Sequence, residues 1–251
     1  MALPSKITPD NLRESIVEVR YDSSLNFEVL IGIFFQAFDN NWFYSNRPYQ
    51  SKATPLPQMQ LNVSQEITIR VGSESLLYND KINIRLLPGA FVFSCLNNYI
   101  GWALFQQEIE GALNLITQTG KIEQWNRVGL RYISEYPGQD LADCFNFTFS
   151  FSQPEIKSET MAFRSEFVYN NARVILNLSN KVPVALPSGG NNVQVGTEPT
   201  SIADIDVIRS DVRTNTLKDL LQIIEECHTY EKELYFGMMK QEFLTTLKPI
   251  Y

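Results

Sequence analysis

Several short segments of this 251-residue chain place a charged residue at every second position, with apolar or aromatic residues between. They lie at residues 17–21, 66–71, 127–135 and 204–207. Because successive side chains of a strand point to opposite faces, this period of two predicts strands with one buried and one polar face. Strands of a parallel sheet, buried on both faces, would read as continuous apolar runs instead. The sequence therefore predicts an α+β fold, a largely antiparallel sheet with helices packed on one face.

Apolar residues at three- and four-residue spacing predict three helices, at about 27–43, about 102–119 and about 214–247. The second has the clearest stripe, beginning with Trp102 and Phe105 and ending at Gly120. We expect Trp102 to pack against the sheet. In the last helix we expect Glu231 to lie on the solvated face.

The predicted elements run βαβββα and then βββββα, which suggests two related halves. These are residues 1–120 and residues 121–251, the second with a long C-terminal helical segment. The segment Val19-Arg20-Tyr21 in the first half is echoed by Leu130-Arg131-Tyr132 in the second. A chain of this length also fits one continuous domain, so both organisations stay open.

Composition excludes several classes of protein. The net charge of −7 argues against binding of nucleic acid over the whole surface. The longest apolar run, residues 29–35, is too short to span a bilayer, and residues 1–10 contain no apolar segment typical of a signal peptide. Three widely spaced cysteines without a CxxC pair favour reduced thiols and a cytoplasmic location.

The chain contains one histidine, His228, so any Ser–His or Cys–His catalysis must depend on it. Its neighbour Cys227 would point about 100° away on a helix, which favours a packing role for the imidazole. No catalytic constellation stands out, and the balance favours a protein that is not an enzyme.

Arginines in the alternating segments are candidate ligand-binding residues, because the guanidinium fork suits phosphate or carboxylate. The candidates are Arg20, Arg127 and Arg131, together with Glu135 at the end of the same row. Cross-strand ion pairing with the interleaved acids explains the same residues without a ligand, so both readings stay open.

Asp204 and Asp206 project from one face of a predicted strand, as carboxylates that hold divalent metals in phosphoryl-transfer sites often do. A charged strand face paired with arginines accounts for this spacing equally well. We predict no cofactor, except a divalent metal at these residues if the protein is an enzyme.

Five motifs, in order and spacing, resemble a sporadically distributed family of uncharacterised prokaryotic proteins of about 250 residues. They are residues 14–21 (ESIVEVRY), residues 99–102 (YIGW) with Phe105, residues 127–133 (RVGLRYI), residues 204–206 (DID), and Leu221, His228 and Phe236. The resemblance supplies no catalytic residues. It implies genomic contexts linked to mobile elements or defence.

The leading hypothesis is a cytoplasmic, non-catalytic binding or adaptor protein for a protein partner or a small anionic ligand. It rests on the abundant aromatic residues and on two long predicted loops, residues 44–58 and 182–201. The alternative is a metal-dependent enzyme acting on phosphate esters or nucleotides, with Asp204 and Asp206 holding the metal and Arg127 and Arg131 the phosphate. The sequence does not specify an oligomeric state.

Overall fold

A computed structural model describes residues 3–38, 42–48, 73–96, 98–147, 160–182, 185–187, 193–195 and 199–251. The strands are β1 (Leu12–Asp22), β2 (Phe43–Pro48), β3 (Ser73–Tyr78), β4 (Ile82–Leu87), β5 (Ala90–Cys95), β6 (Gln124–Pro137), β7 (Met161–Tyr169), β8 (Ala172–Val182), β9 (Ala185–Pro187), β10 (Val193–Val195) and β11 (Thr200–Arg209). The helices are α1 (Phe27–Ala37), α2 (Trp102–Gln118), α3 (Leu141–Cys144), α4 (Leu217–Met238) and α5 (Gln241–Thr246).

Nine strands form one sheet in the order β2-β3-β4-β5-β1-β6-β11-β8-β7, while β9 and β10 form a separate pair. Every neighbouring pair of the large sheet is antiparallel. The prediction of an α+β fold with an antiparallel sheet is therefore confirmed.

Local sequence accounts for several element boundaries. Gly89 has φ +71° in the tight turn between β4 and β5, and Gly120 has φ +65° directly after α2, a left-handed backbone that favours glycine. Thr216 caps α4, since its side chain accepts a hydrogen bond of 3.2 Å from the backbone N–H of Asp219.

The core lies between the helices and one face of the sheet. Val17 and Val19 of β1 and Val128 and Leu130 of β6 point into it and are fully buried. The buried residues of α1, α2 and α4 belong to the same continuous cluster, so these helices cover one face. Both halves of the chain thus contribute to one sheet and one core.

The two halves are arranged alike about the sheet centre. β1 and β6 run antiparallel there, with Glu18 opposite Gly129 and Val17 opposite Leu130. In each half the chain continues into a meander whose last strand, β5 or β11, returns to pair with β1 or β6. A long helix, α2 or α4, follows that strand. This arrangement supports the proposal of two related halves.

Some boundaries differ from the predictions. The first helix ends at Ala37, and strand β2 occupies part of the predicted loop 44–58. The pair β9–β10 lies within the predicted loop 182–201, and the C-terminal helix is divided into α4 and α5. The strand predicted at residues 60–71, which includes Glu66 and Arg70, lies outside the described residues. Within the described ranges, no helix is long and apolar enough to cross a membrane.

Candidate functional site

The face of the sheet opposite the helices carries the charges that the sequence alternation predicts. We call it the charged face. Its central residues are Glu18 and Arg20 of β1, Arg127 and Arg131 of β6, and Asp204 and Asp206 of β11. They come together because β1, β6 and β11 are neighbours in the sheet, although β11 lies about 70 residues beyond β6 in the chain.

Asp204 is a fully partnered and completely buried acid of the charged face. Its Oδ1 accepts a hydrogen bond of 2.7 Å from Nε of Arg131, and its Oδ2 accepts one of 2.8 Å from Nη2 of the same side chain. Oδ2 also accepts a hydrogen bond of 2.9 Å from Nδ2 of Asn177 on β8. The Asp204 side chain is completely buried, whereas Arg131 is partly exposed. The bidentate pair raises the pKa of Arg131, so its charge is fixed.

Glu18 joins two arginines. Its Oε1 accepts a hydrogen bond of 2.7 Å from Nε of Arg20 on the same strand. The same oxygen accepts a second hydrogen bond from Nη1 of Arg127 on the neighbouring strand. Both arginines are therefore already bound to a carboxylate, and an incoming anion would have to compete with Glu18.

Asp206 differs from these residues. It is half-buried, and among the described residues no hydrogen bond reaches its carboxylate. Burial raises the pKa of Asp206 to about 6, while the nearby charges of Arg131 and Arg127 lower it. A Cβ atom at Gly129 would lie 3.9 Å from Oδ1 of Asp206 and 3.8 Å from Cβ of Glu18. The glycine therefore marks the place where the two acids approach each other.

Other charges on the sheet lie further from this centre. Glu135 lies four residues beyond Arg131 along β6, about 13 Å at the usual rise of a strand. It accepts hydrogen bonds of 2.7 and 2.8 Å from Nη1 of Arg13, so the structure does not bring it to the other candidates. On the edge, Glu166 of β7 binds both Arg164 and Arg173.

The charged face is thus dominated by pairs of opposite charge. Each arginine and glutamate candidate forms an ion pair, the alternative to a ligand: Arg127, Arg131 and Glu135 pair across strands, and Arg20 pairs with Glu18 along β1. Among the described residues no group of three or more His, Cys, Asp or Glu side chains is arranged to hold a metal ion. Both oxygens of Asp204 accept hydrogen bonds from Arg131, whereas among the described residues neither oxygen of Asp206 accepts one.

A second polar cluster lies on the helix side of the sheet, and the sequence analysis missed it. Glu231 of α4 was expected on a solvated face, which is wrong: the residue is only 4 % exposed. His228 is also buried and stacks on Trp102, with ring centroids 3.9 Å apart, as expected of a packing histidine. Trp102 itself is half-buried and contacts α4, and its Nε1 donates a hydrogen bond of 2.8 Å to Oε2 of Glu225.

Helix α1 exposes apolar surface. Its sequence FEVLIGIFFQA contains one charged residue, Glu28. Val29 is 51 % exposed and Phe35 is 50 % exposed, while Leu30 and Phe34 face the core. The Phe35 ring lies 5.3 Å from the ring of Tyr44 on β2, so the surface continues onto the edge of the sheet. We call Val29, Phe35 and Tyr44 the α1 surface.

The motifs of the family resemblance fall on both sides of the sheet. Glu18, Arg131 and Asp204 are on the charged face, whereas Trp102 and His228 contact each other on the helix side. A scan against protein-family models and a search of curated proteins each found no match to the chain.

Proposed function

We propose that this protein is a non-catalytic binding or adaptor protein that docks a protein partner on the α1 surface. The observation that carries the proposal is the exposure of Val29 and Phe35 on a helix with one charged residue. A helix that is apolar on nearly all sides is normally buried on all sides. Exposed apolar and aromatic side chains on such a helix are typical of protein–protein contacts, in which aromatic residues are enriched.

The charged face supports the same proposal. Its central arginines are bound to Glu18 and Asp204, so each guanidinium already has a carboxylate partner. A small anionic ligand would have to displace a carboxylate from Arg127 or Arg131. A protein partner on α1 requires no such exchange.

We further propose a cytoplasmic location. Cys95, Cys144 and Cys227 are free thiols, as the sequence predicts, and reduced cysteines are usual in the cytoplasm. A prokaryotic origin and a genomic context linked to mobile elements or defence rest on the five motifs of the resemblance.

The proposal is tested by comparing three baits in one extract of the native cell. The baits are the wild-type chain, Val29→Asp/Phe35→Asp, and a matched control, Leu104→Asp, which places the same charge on an apolar side chain of α2 that is 49 % exposed. We expect quantitative mass spectrometry to find a protein that the wild type and the control retain and the double variant loses. Identical protein sets on all three folded baits would refute docking at α1.

The second candidate is the metal-dependent enzyme acting on phosphate esters or nucleotides. One observation favours it: the Asp206 carboxylate lies close to Arg127 and Arg131 and has a raised pKa. Calorimetric titration of the wild type and of Asp206→Asn with Mg²⁺ and Mn²⁺ separates the two functions. If the protein only docks a protein partner, titration with either metal should give no saturable heat. Micromolar metal binding by the wild type that Asp206→Asn loses would favour the enzyme.

A further inference from the structure

Helices α2 and α4 bury their side chains in the same pattern. Their first buried positions correspond one to one: Phe105 with Leu220, Ile109 with Ile224, and Ala112 with Cys227. The next two positions break the likeness. Leu113 and Ile116 in α2 correspond to His228 and Glu231 in α4. The fold thus accepts apolar residues at these positions, yet the second half buries an imidazole and a carboxyl group there.

His228 lies between two aromatic rings. It stacks on Trp102 with an angle of 6° between the planes, and its ring centroid is 6.1 Å from that of Tyr132. Its Nδ1 lies 3.8 Å from Oε1 of Glu225, beyond hydrogen-bond distance. Burial, with a smaller effect from the charge of Lys232, lowers the pKa of His228 to about 3, so the imidazole is neutral in the folded protein.

Glu231 lies one helical turn further along α4 and accepts no hydrogen bond from the described residues. Nearby hydroxyl groups bond to each other: Tyr99 to Tyr132 at 3.0 Å, and Tyr136 to Tyr235 at 2.6 Å. Tyr99, Tyr132, Lys232 and Tyr235 interact electrostatically with Glu231, His228 lies one turn before it, and Asp10 and Cys95 interact with the same tyrosines. Burial raises the pKa of Glu231 to about 8, and the charge of Lys232 partly opposes this.

We infer that His228 and Glu231 form a proton-linked latch, which holds the C-terminal half of α4 on the sheet while Glu231 is protonated and loosens when it ionises. Three observations support the latch: the burial of both groups, their place at the interface of α4 with β6 and α2, and their replacement by Leu113 and Ile116 in the corresponding helix. An ionised carboxylate at this buried position would accept no hydrogen bond from the described residues, and the charge of Lys232 offsets its desolvation only in part.

The two groups have opposite proton linkage. Unfolding releases a proton from Glu231 between pH 4.5, its ordinary pKa, and pH 8. It gives a proton to His228 between pH 3 and 6.5, its ordinary pKa. From pH 4.5 to 6.5 the proton released by Glu231 on unfolding is balanced by the proton taken up by His228. Asp206 also releases a proton on unfolding, but only below pH 6. Between pH 6.5 and 8 the ionisation of Glu231 outweighs that of His228, so the unfolding equilibrium constant should rise by less than tenfold per pH unit, about tenfold in all by pH 8.

Urea denaturation between pH 5 and 9 tests the latch with the wild type, Glu231→Gln and Glu231→Ile, which installs the residue found at the corresponding position of α2. The matched control is Glu110→Gln, an exposed acid of α2. We expect the unfolding equilibrium constant of the wild type and the control to rise above pH 6.5. In both Glu231 variants it should stay constant with pH over the same range. Below pH 6.5 the Glu231 variants should lose stability, because proton uptake by His228 is no longer compensated.

An equal rise above pH 6.5 in the wild type and the Glu231 variants would refute the latch. A wild-type measurement does not depend on variant folding: carboxyl ¹³C resonances of glutamate-labelled protein should include one that titrates near pH 8. If every glutamate titrates below pH 6, the inference is wrong. Amide hydrogen exchange at pH 8.5, corrected for the intrinsic rates, should increase in residues 228–238 and not in α2.

Discussion

Asp204 shows how a buried charge depends on its partners. Its side chain is completely buried and accepts three hydrogen bonds, two from Arg131 and one from Asn177. Removing one member of such a group leaves the others desolvated and unpaired, which is costly. The exposed pair of Arg164 and Glu166 on the same face keeps its access to water.

We therefore predict that Asp204→Ala lowers the free energy of unfolding by about 3–5 kcal/mol. Glu166→Ala, the control on the exposed pair, should cost no more than about 1 kcal/mol. Urea denaturation at pH 7 measures both. Equal costs would mean that the Asp204 pair is hydrated in solution.

The half-buried Asp206 gives a pH-dependent prediction of its own. Its pKa in the folded protein is raised from 3.8 to about 6, so the stability that it contributes is present below pH 3.8 and lost as the pH rises through 6. Asp206→Asn should therefore raise the free energy of unfolding by about 1–2 kcal/mol at pH 7. At pH 4 the gain should nearly disappear; a gain that is constant with pH would contradict the raised pKa.

Alternation along the chain was sufficient to place Arg127 and Arg131 on one face of their strand, and Asp204 and Asp206 on one face of theirs, because strand geometry alone decides it. It could not identify their partners, since these depend on β6 lying beside β11 in the sheet. Glu231 was missed for a different reason. A charged residue on an amphipathic helix is solvated in most proteins, and here the packing of α4 overrides that expectation.

At the scale of elements, the apolar stripe of α2 predicts which face of the helix is buried, but it does not predict how far the residues at the helix end are buried. The stripe correctly predicts a buried face, and Phe105 and Ile109 are fully buried. Trp102 occupies the first turn of the helix and is half-buried against His228 of α4. A stripe specifies the face of a helix, whereas burial at its ends depends on the neighbouring element.

We predict that Phe105→Ala lowers the free energy of unfolding by about 3–5 kcal/mol, as for a buried aromatic residue. Trp102→Ala should cost less, about 1–3 kcal/mol, because part of the indole is already in water. Thermal and urea unfolding of the two variants compare them directly. A larger loss for Trp102→Ala would show that its stacking on His228 and its hydrogen bond to Glu225 outweigh burial.

The element boundaries that differ from prediction involve tertiary contacts. The C-terminal helix is interrupted at Met239, which forms a β-bridge with Phe145. Strand β2 forms by pairing with β3, although its sequence FYSNRP carries no clear alternation. Neither contact is encoded by local periodicity, so the sequence reading placed a continuous helix and a loop there.

At the scale of the whole molecule, the two halves depend on each other. β1 is flanked by β5 of its own half and by β6 of the other, and it forms more of its pairings with β6. Trp102 stacks on His228 across the halves. Near the chain ends, the backbone N–H of Ile250 donates a hydrogen bond of 2.8 Å to the carbonyl of Lys6. The predicted boundary between residues 120 and 121 therefore separates β1 from β6, which are paired strands at the centre of the sheet.

We predict that residues 1–120 and 121–251, produced separately, do not fold alone but associate when mixed. Each fragment would expose a central strand, β1 or β6, with an unpaired edge and an uncovered apolar face. Circular dichroism and urea unfolding should show no cooperative transition for either fragment and one transition for the equimolar mixture. The intact chain serves as the control for the position of that transition.

Two sharp transitions from the separate fragments would instead establish two domains that dock through β1 and β6. The continuous core argues for the single transition, because the inward residues Val17 and Val19 of β1 belong to the same buried cluster as Val128 and Leu130 of β6. A related pair of halves can thus arise from one repeated unit and still fold as one. Cooperative unfolding is expected when neither half is stable without the apolar surface that it buries against the other.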